Sequence, residues 1–452
     1  MQEHLHCALL KHNQQTPRYT SYPTTPNFTC AVGNDQALSW LKQVDNSKSV
    51  SLYFHIPFCK KLCWYCGCNT KATRQYNPVK EFLIDLKQEI SLVSKSLKEG
   101  CRVSHIHFGG GSPSYLSPSD FAELVDHLHQ CFYVEKTAEF AIELDPRETT
   151  EAKIAAYAKA GVNRASLGVQ DFNTTVQKAI NRVQPFHRVY ETVQTLKSYG
   201  ITAISFDLLY GLPHQTKETI LETVDLTAAI SPDRVSLFGY AHVPWMKKHM
   251  RLIDETTLPN ADERLQQFDA ARCALQSHGY KAIGLDHFAK PSDKLTKARK
   301  INQLSRNFQG YTTDDAETLI GFGPSAISTF RQGYTQNTPD QRSYSQDIKS
   351  GASAVKKGIL LTDDDRIRRD IISRIMCFGG VNLRAIEELY SMPANSFSNE
   401  ISRLRGLEED GLARVNDQHI SVNANAAQAA RLAASCFDTY LRPTSQQHSQ
   451  VA

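Results

Sequence analysis

The stretch that decides the fold is Tyr53-Phe-His-Ile-Pro-Phe-Cys59-Lys-Lys-Leu-Cys63-Trp-Tyr-Cys66-Gly-Cys68-Asn69. An apolar run leads into four closely spaced thiols, Cys59, Cys63, Cys66 and Cys68. Thiolates are the ligands of iron–sulfur clusters and of zinc. A structural zinc site usually closes with two separated ligand pairs. Here Cys-x3-Cys-x2-Cys forms one compact loop of three thiols, and no second pair follows. Three thiolates on a four-iron cubane leave one iron open to a small molecule, much as a catalytic zinc keeps an open position. A zinc loop or a reduced structural thiol cluster is the alternative. The odd total of 11 cysteines in a chain of 452 residues, with no secretory signal at its start, argues against a disulfide framework.

Working outward, the chain alternates strand and helix. Asn77-Pro78 opens a helix, with proline at a first-turn position. Val79, Phe82, Leu83, Leu86, Ile90, Val93 and Leu97 then recur at helical spacing. Strands are expected over 103–108, 139–144, 163–169, 203–210 and 234–240. Helices are expected over 118–132, 150–160, 174–182, 186–199 and 217–230. With the strand that leads into the cysteines this makes six parallel strands. Six units are too few for the closed eight-fold barrel. An α/β fold follows, a partial open (βα)6 barrel whose gap would admit a bulky substrate.

The flanks read differently. Residues 1–50 form an N-terminal arm around Pro17-Arg18-Tyr19-Thr20-Ser21-Tyr22-Pro23, where two prolines block regular helix and the aromatics need a partner surface. The barrel and its extension occupy 51–345, with a further helix near 262–278 and a glycine turn at 321–327. From 362 to 442 the chain is mainly helical and ends in a small hairpin, a pattern open to a winged-helix reading. Residues 443–452 read as a flexible tail. The net charge of +4, with no basic excess over 362–442, gives no reason to expect nucleic acid. No run of eighteen apolar residues exists, so no membrane span is expected, and the cytoplasm is the expected location.

In such barrels functional groups collect at the C-terminal ends of strands. Polar residues stand at all six: Tyr53 and His55, Gly109 to Ser112, Glu143 and Asp145, Gln170 and Asp171, Asp207, and Tyr240 with His242. One polar strand end would only suggest a helix cap. Six together suggest a ligand site. The run Gly109-Gly110-Gly111 matches neither the phosphate loop nor the dinucleotide fingerprint.

The cysteine spacing, with Tyr65 just before the third thiol, resembles that of the radical S-adenosylmethionine (SAM) enzymes. Tyr53-x-His55-Ile-Pro-Phe-Cys59, Cys68 after Gly67 and the Arg18-to-Pro23 segment narrow the resemblance to the oxygen-independent coproporphyrinogen III oxidases. It runs through Tyr210-Gly-Leu-Pro213 and Asp286-His-Phe-Ala289 to Cys436-Phe-Asp-Thr-Tyr-Leu-Arg442. The resemblance implies a [4Fe-4S] cluster held by Cys59, Cys63 and Cys66, with the fourth iron open to SAM. It implies contacts from Tyr53, Gly110, Glu143 and Ile327 to that SAM. A second SAM would be met by Tyr65, Gly111, Ser112, Gln170, Arg182, Asp207 and Ala241. Ser112 stands where the family usually has threonine, and Tyr65 where phenylalanine is common. Cys68 is implied in turnover rather than in holding the cluster. The activity implied is oxidative decarboxylation of two propionates of coproporphyrinogen III to vinyl groups, giving protoporphyrinogen IX. A monomer is expected, served by an electron donor such as a flavodoxin-type reductant and by an acceptor the sequence does not reveal. A sister group of haem-binding trafficking proteins shares the cluster loop, but the Arg18 segment and Cys68 argue against it.

Overall fold

A computed structural model describes residues 3–441; the expected tail, and residue 442, lie outside the described residues. Six strands, β1 (Val50–Ile56), β2 (Arg102–Gly110), β3 (Tyr133–Leu144), β4 (Arg164–Gln170), β5 (Ala203–Tyr210) and β6 (Arg234–Gly239), pair in sequence order. Every neighbouring pair among them is parallel. The helices Asn77–Ser96, Pro118–Cys131, Glu151–Lys159, Phe186–Ser198 and Lys217–Ile230 carry the chain between them. The last of these, and β5, have the bounds the sequence predicts.

Alternation within the strands explains the architecture. Val50, Leu52, Phe54 and Ile56 of β1 are buried, as are Ile204, Phe206 and Leu208 of β5, and all belong to one apolar core with the helices. The intervening positions are polar and line a central cavity: His105 and His107 on β2, Glu139 and Glu143 on β3, Ser205 and Asp207 on β5. A strand with covered faces on both sides usually reads as continuously apolar. Here one face packs on helices and the other on a polar lumen, so the period of two survives.

The lumen is closed at the N-terminal ends of the strands by ion pairs. Arg164 Nε donates to Glu139 Oε1 at 2.9 Å, and Arg234 Nε to Asp293 Oδ1 at 2.9 Å. His105 Nδ1 lies 3.2 Å from Asp314 Oδ1, and Ser51 donates to the same carboxylate.

The sheet is wider than the six strands read from sequence. Among the described residues it has twelve, because short strands extend both edges. Leu319–Phe322 runs parallel to β1, and Ile327–Thr329, Gly333–Asn337 and Val355–Leu360 follow it antiparallel. On the far edge His287–Ala289 pairs antiparallel with β6. β3 also begins at Tyr133 rather than near 139, since Tyr133 and Val134 pair with Arg102 and Val103 across a register shift.

The aromatic residues of the arm find their partner surface in the last described segment. Tyr19 donates to Asp438 at 3.1 Å, and the Tyr22 hydroxyl lies 3.0 Å from that of Thr439. The buried Arg431 guanidinium donates to the carbonyls of Thr16 and Pro17. Arg18 reaches the barrel itself and donates to the Gly239 carbonyl at 2.6 Å, at the end of β6. The helix Asp363–Phe378 opens on Thr362 and Asp365, which cap each other reciprocally. Helices Leu383–Leu389 and Ser398–Glu409 follow it, and strands Gly380–Asn382, Ala413–Asn416 and His419–Val422 form a small sheet.

Phe54 is fully buried and stacks between Phe108 at 4.6 Å and Phe322 at 4.8 Å. It therefore joins β1 to both neighbouring strands. Phe54→Ala is expected to cost about 3–5 kcal/mol through lost burial and a cavity, read as a lower urea midpoint by circular dichroism. A midpoint equal to that of the wild type would show that the sheet does not depend on this stack.

Candidate active site in the barrel lumen

The cysteine loop crosses the C-terminal ends of the strands and is tied down from several directions. Asn181 donates to the Leu62 carbonyl at 2.9 Å, and the Trp64 amide donates to the Ile180 carbonyl at 3.0 Å. His249 Nε2 meets the Cys66 carbonyl at 2.8 Å, and Lys247 donates to the Cys68 carbonyl at 2.9 Å. Trp64 and Tyr65 pack on an apolar cluster that includes Ile180, Leu212 and Met250.

Two arginines join the loop to the strand ends. Arg147 and Arg182 each place a guanidinium nitrogen 3.4 Å from Cys63 Sγ. Both also bind Asp145, which follows β3: Arg147 Nη2 at 2.6 Å and Arg182 Nη1 at 3.2 Å. Burial alone would raise the Asp145 carboxyl, but Arg182 and then Arg147 outweigh it and bring it down to about 2. Arg182 Nη2 donates to the Gly168 carbonyl at 2.7 Å.

Behind the glycine run, His55 Nε2 donates to the Asn69 carbonyl at 2.7 Å, which leaves Nδ1 to accept from the Tyr53 hydroxyl at 3.2 Å. Burial lowers the pKa of His55 and keeps the ring neutral. Glu143 accepts from His107 Nε2 at 2.9 Å and from the Gly110 amide at 3.3 Å. Gly110 has a φ of +108°, and a Cβ there would fall 2.6 Å from the His55 ring. A Cβ on Gly111 would fall 2.9 Å from the Ile56 carbonyl. Glycine is thus required here by the protein's own packing, quite apart from any ligand. Burial, reinforced by Glu143, pushes the Asp207 carboxyl up to about 6, and Ser166 donates to it at 3.1 Å. Gln170 has a left-handed φ of +67°, unusual away from glycine and characteristic of functional positions.

These groups surround one cavity of about 400 Å³. Of the residues singled out from sequence, Cys59, Cys63, Cys66, Cys68, Tyr65, Gly110, Gly111, Ser112, Glu143, Gln170, Arg182 and Asp207 line it. Of the cofactor contacts that the resemblance implies, three lie off its walls. Tyr53 stands behind it with its ring 5.8 Å from that of His107. Ala241 follows the end of β6, next to the hydrogen-bonded pair Tyr240 and His242. Ile327 begins a short strand between Leu319–Phe322 and Gly333–Asn337 and packs on the cluster formed by Phe28, Tyr334 and Leu361. Sequence reasoning missed His107 and Arg147. His107 was legible in principle as the inward partner of His105 and Gly109 at a spacing of two. Arg147 lies in a loop and carried no periodic signal.

The lumen fits the expected cofactors in one respect. Arg182 is buried, lines the cavity, and has an Nε with no partner among the described residues.

The sheet, the cysteine loop and the polar lumen define a radical SAM enzyme, and residues 53–227 match the profile of the radical SAM superfamily. Membership implies a [4Fe-4S] cluster and SAM. Over 438 residues the chain is 44% identical to the oxygen-independent coproporphyrinogen III oxidase of Bradyrhizobium diazoefficiens, covering 97% of each. It is 39% identical to that of Escherichia coli K12 over 445 residues, 98% of this chain and 97% of that one. The solved structure of the Escherichia coli coproporphyrinogen III oxidase, described as a radical SAM enzyme, superposes with a TM-score of 0.90 at 38% identity, covering 95% of this chain and 100% of that one. The chain belongs to the family of oxygen-independent coproporphyrinogen III oxidases.

The turn beside β1 rests on one buried acid. Glu89, on the helix Asn77–Ser96, accepts from Tyr344 at 2.7 Å, the Gly323 amide at 2.8 Å and Asn337 at 2.7 Å. Burial raises its carboxyl to about 7 against the pull of these donors. Because the folded pKa lies above the unfolded value near 4.5, folded protein holds the proton more tightly between those two pH values. Stability contributed by protonated Glu89 is therefore present below about 4.5 and lost as pH rises through 7. Measured by urea denaturation across this window, wild type is expected to lose stability relative to Glu89→Gln as pH rises. A constant gap would show that the acid is ionised throughout.

Proposed function

We propose that this chain converts coproporphyrinogen III into protoporphyrinogen IX by oxidative decarboxylation of two propionate side chains. Each event removes a hydrogen atom from the propionate β-carbon, then carbon dioxide and one electron, and leaves a vinyl group. The observation that carries the reading is that three thiols and a polar strand-end site share one cavity, in a chain related over nearly its whole length to named oxidases. Those relatives favour the oxidase over a haem-trafficking role.

The cluster and SAM, when bound, supply the one-electron chemistry that removes the hydrogen; the protein supplies placement and exclusion of water. In this reading Cys59, Cys63 and Cys66 hold the cluster, and Arg147 and Arg182 set the position and charge around Cys63. Tyr53, Gly110, Glu143 and Ile327 serve the first SAM. Glu143, fixed by His107, offers its carboxylate to a ligand ammonium. Tyr65, Gly111, Ser112, Gln170, Arg182, Asp207 and Ala241 serve a second. Arg182 would keep its Asp145 contact and present the remaining Nε to a carboxylate. Cys68 is exposed on the cavity side and acts in turnover, not in holding iron. A one-electron donor protein and an acceptor complete the cycle. The arm 1–50 lies over the mouth, with Arg18 at the end of β6 as its anchor. The region 362–442 is a supporting domain whose last segment fastens that arm. The protein acts as a monomer in the cytoplasm, and among the described residues no helix is long and apolar enough to cross a membrane.

The test is anaerobic incubation of iron- and sulfide-reconstituted protein with coproporphyrinogen III, SAM and dithionite. Both 5′-deoxyadenosine and a vinyl product are expected. Serine at Cys59, Cys63 or Cys66 is expected to abolish the brown absorbance and both products. Cys68→Ser is expected to keep the absorbance and lose the vinyl product. Wild-type protein that forms neither product, while carrying its cluster, would contradict the reading.

A further inference from the structure

The segment after β6 turns from the barrel to cover the outside of the cysteine loop. Its inward residues are buried: Met250 and Ile253 share an apolar cluster with Trp64 and Tyr65 of that loop. Its outward residues are not. Trp245 is 60% exposed, Met246 65% and Leu252 59%. Lys248 and Arg251 are exposed between them, and residues 243–253 contain no acid. Lys60 and Lys61, exposed on the cysteine loop itself, extend the same charge. Lys60 has an ion-pair partner in Glu148 at 3.3 Å, and Glu255, beyond the segment, is taken up by His242 at 2.9 Å. Three large apolar side chains exposed within eight residues, rimmed by cations, mark an interaction surface rather than scattered surface apolar residues.

We propose that this ridge docks an acidic one-electron carrier protein; the inference rests on the cluster reading above. Two observations select that occupant. The ridge over 243–253 carries only positive charge, and the exposed acids just beyond it are engaged, Asp254 by Thr256 and Glu255 by His242, so the ridge complements an acidic partner and would steer its approach. The ridge also offers a short connection to a cluster ligand. His249 lies within it and meets the Cys66 carbonyl at 2.8 Å, while Lys247 meets that of Cys68. An electron delivered here enters from outside the loop, and the cavity side stays free for SAM and substrate. One electron passes from the carrier to the cluster, and the carrier leaves oxidised by one.

Reduced flavodoxin is the probe. Its second-order rate of cluster reduction, followed by stopped-flow bleaching of cluster absorbance, is expected to fall steadily as salt is raised. The double variant Lys248→Glu/Arg251→Glu is expected to lower that rate about 10-fold or more, and Trp245→Ala to lower it independently. With dithionite, which needs no docking surface, all variants are expected to form 5′-deoxyadenosine at the wild-type rate. A salt-independent wild-type rate, or variants as fast as wild type with flavodoxin, would overturn the proposal. So would a raised KM for coproporphyrinogen in the variants under dithionite, which would mean that the ridge receives substrate. Wild type that fails to cleave SAM even with dithionite would instead remove the cluster reading, and the docking surface with it.

Discussion

A carboxylate shared between two guanidinium groups decides where the thiols lie. Asp145 stands at the end of β3, and Arg147 and Arg182 both bind it while reaching Cys63. Charge-assisted hydrogen bonds of this kind are short and directional. The removal of one member would leave the other charges buried and unmatched, which is costlier than the loss of an exposed pair. The cysteine loop has little regular structure of its own. Its position is borrowed from the sheet through these arginines, through Asn181 and through His249.

The same sheet sets the chemistry of the lumen. Each strand turns apolar residues toward the helices and polar ones inward. Ion pairs from Arg164, Arg234 and His105 close the N-terminal end, and the polar strand ends toward the cysteines face the same cavity. Glu143 and Asp207 face the same cavity from different strands, and their surroundings differ. Glu143 has hydrogen-bond donors from His107 and Gly110. Asp207 is half-buried, with Ser166 as a donor, and its carboxyl is raised to about 6.

Much of this was legible in the sequence, for identifiable reasons. The six parallel strands were readable because each falls between helices, several of which open on proline, as at Pro78 and Pro118, or close before glycine, as at Gly161 and Gly200. The cysteine loop was readable because the spacing itself is chemical. The sheet extensions were not. Strands such as Ile327–Thr329 and His287–Ala289 are three residues long, too short to show a period, and they exist only because a neighbouring edge offers hydrogen bonds. Arg147 was hidden because its role depends on the meeting of two loops. The early residues of β3 were hidden because Tyr133 to Ala138 is mostly polar and pairs across a register shift. The resemblance gives Gly110 and Gly111 to SAM, yet His55 and the Ile56 carbonyl already demand glycine there.

The central claim is a cubane held by three thiolates whose fourth iron is free to take SAM. Mössbauer spectra of air-free, 57Fe-reconstituted protein test it most directly. The account predicts one iron distinct from the other three, whose isomer shift moves when SAM is added and does so equally in Cys68→Ser protein. Four equivalent irons that SAM leaves unchanged, or a unique iron that vanishes with Cys68, would contradict it.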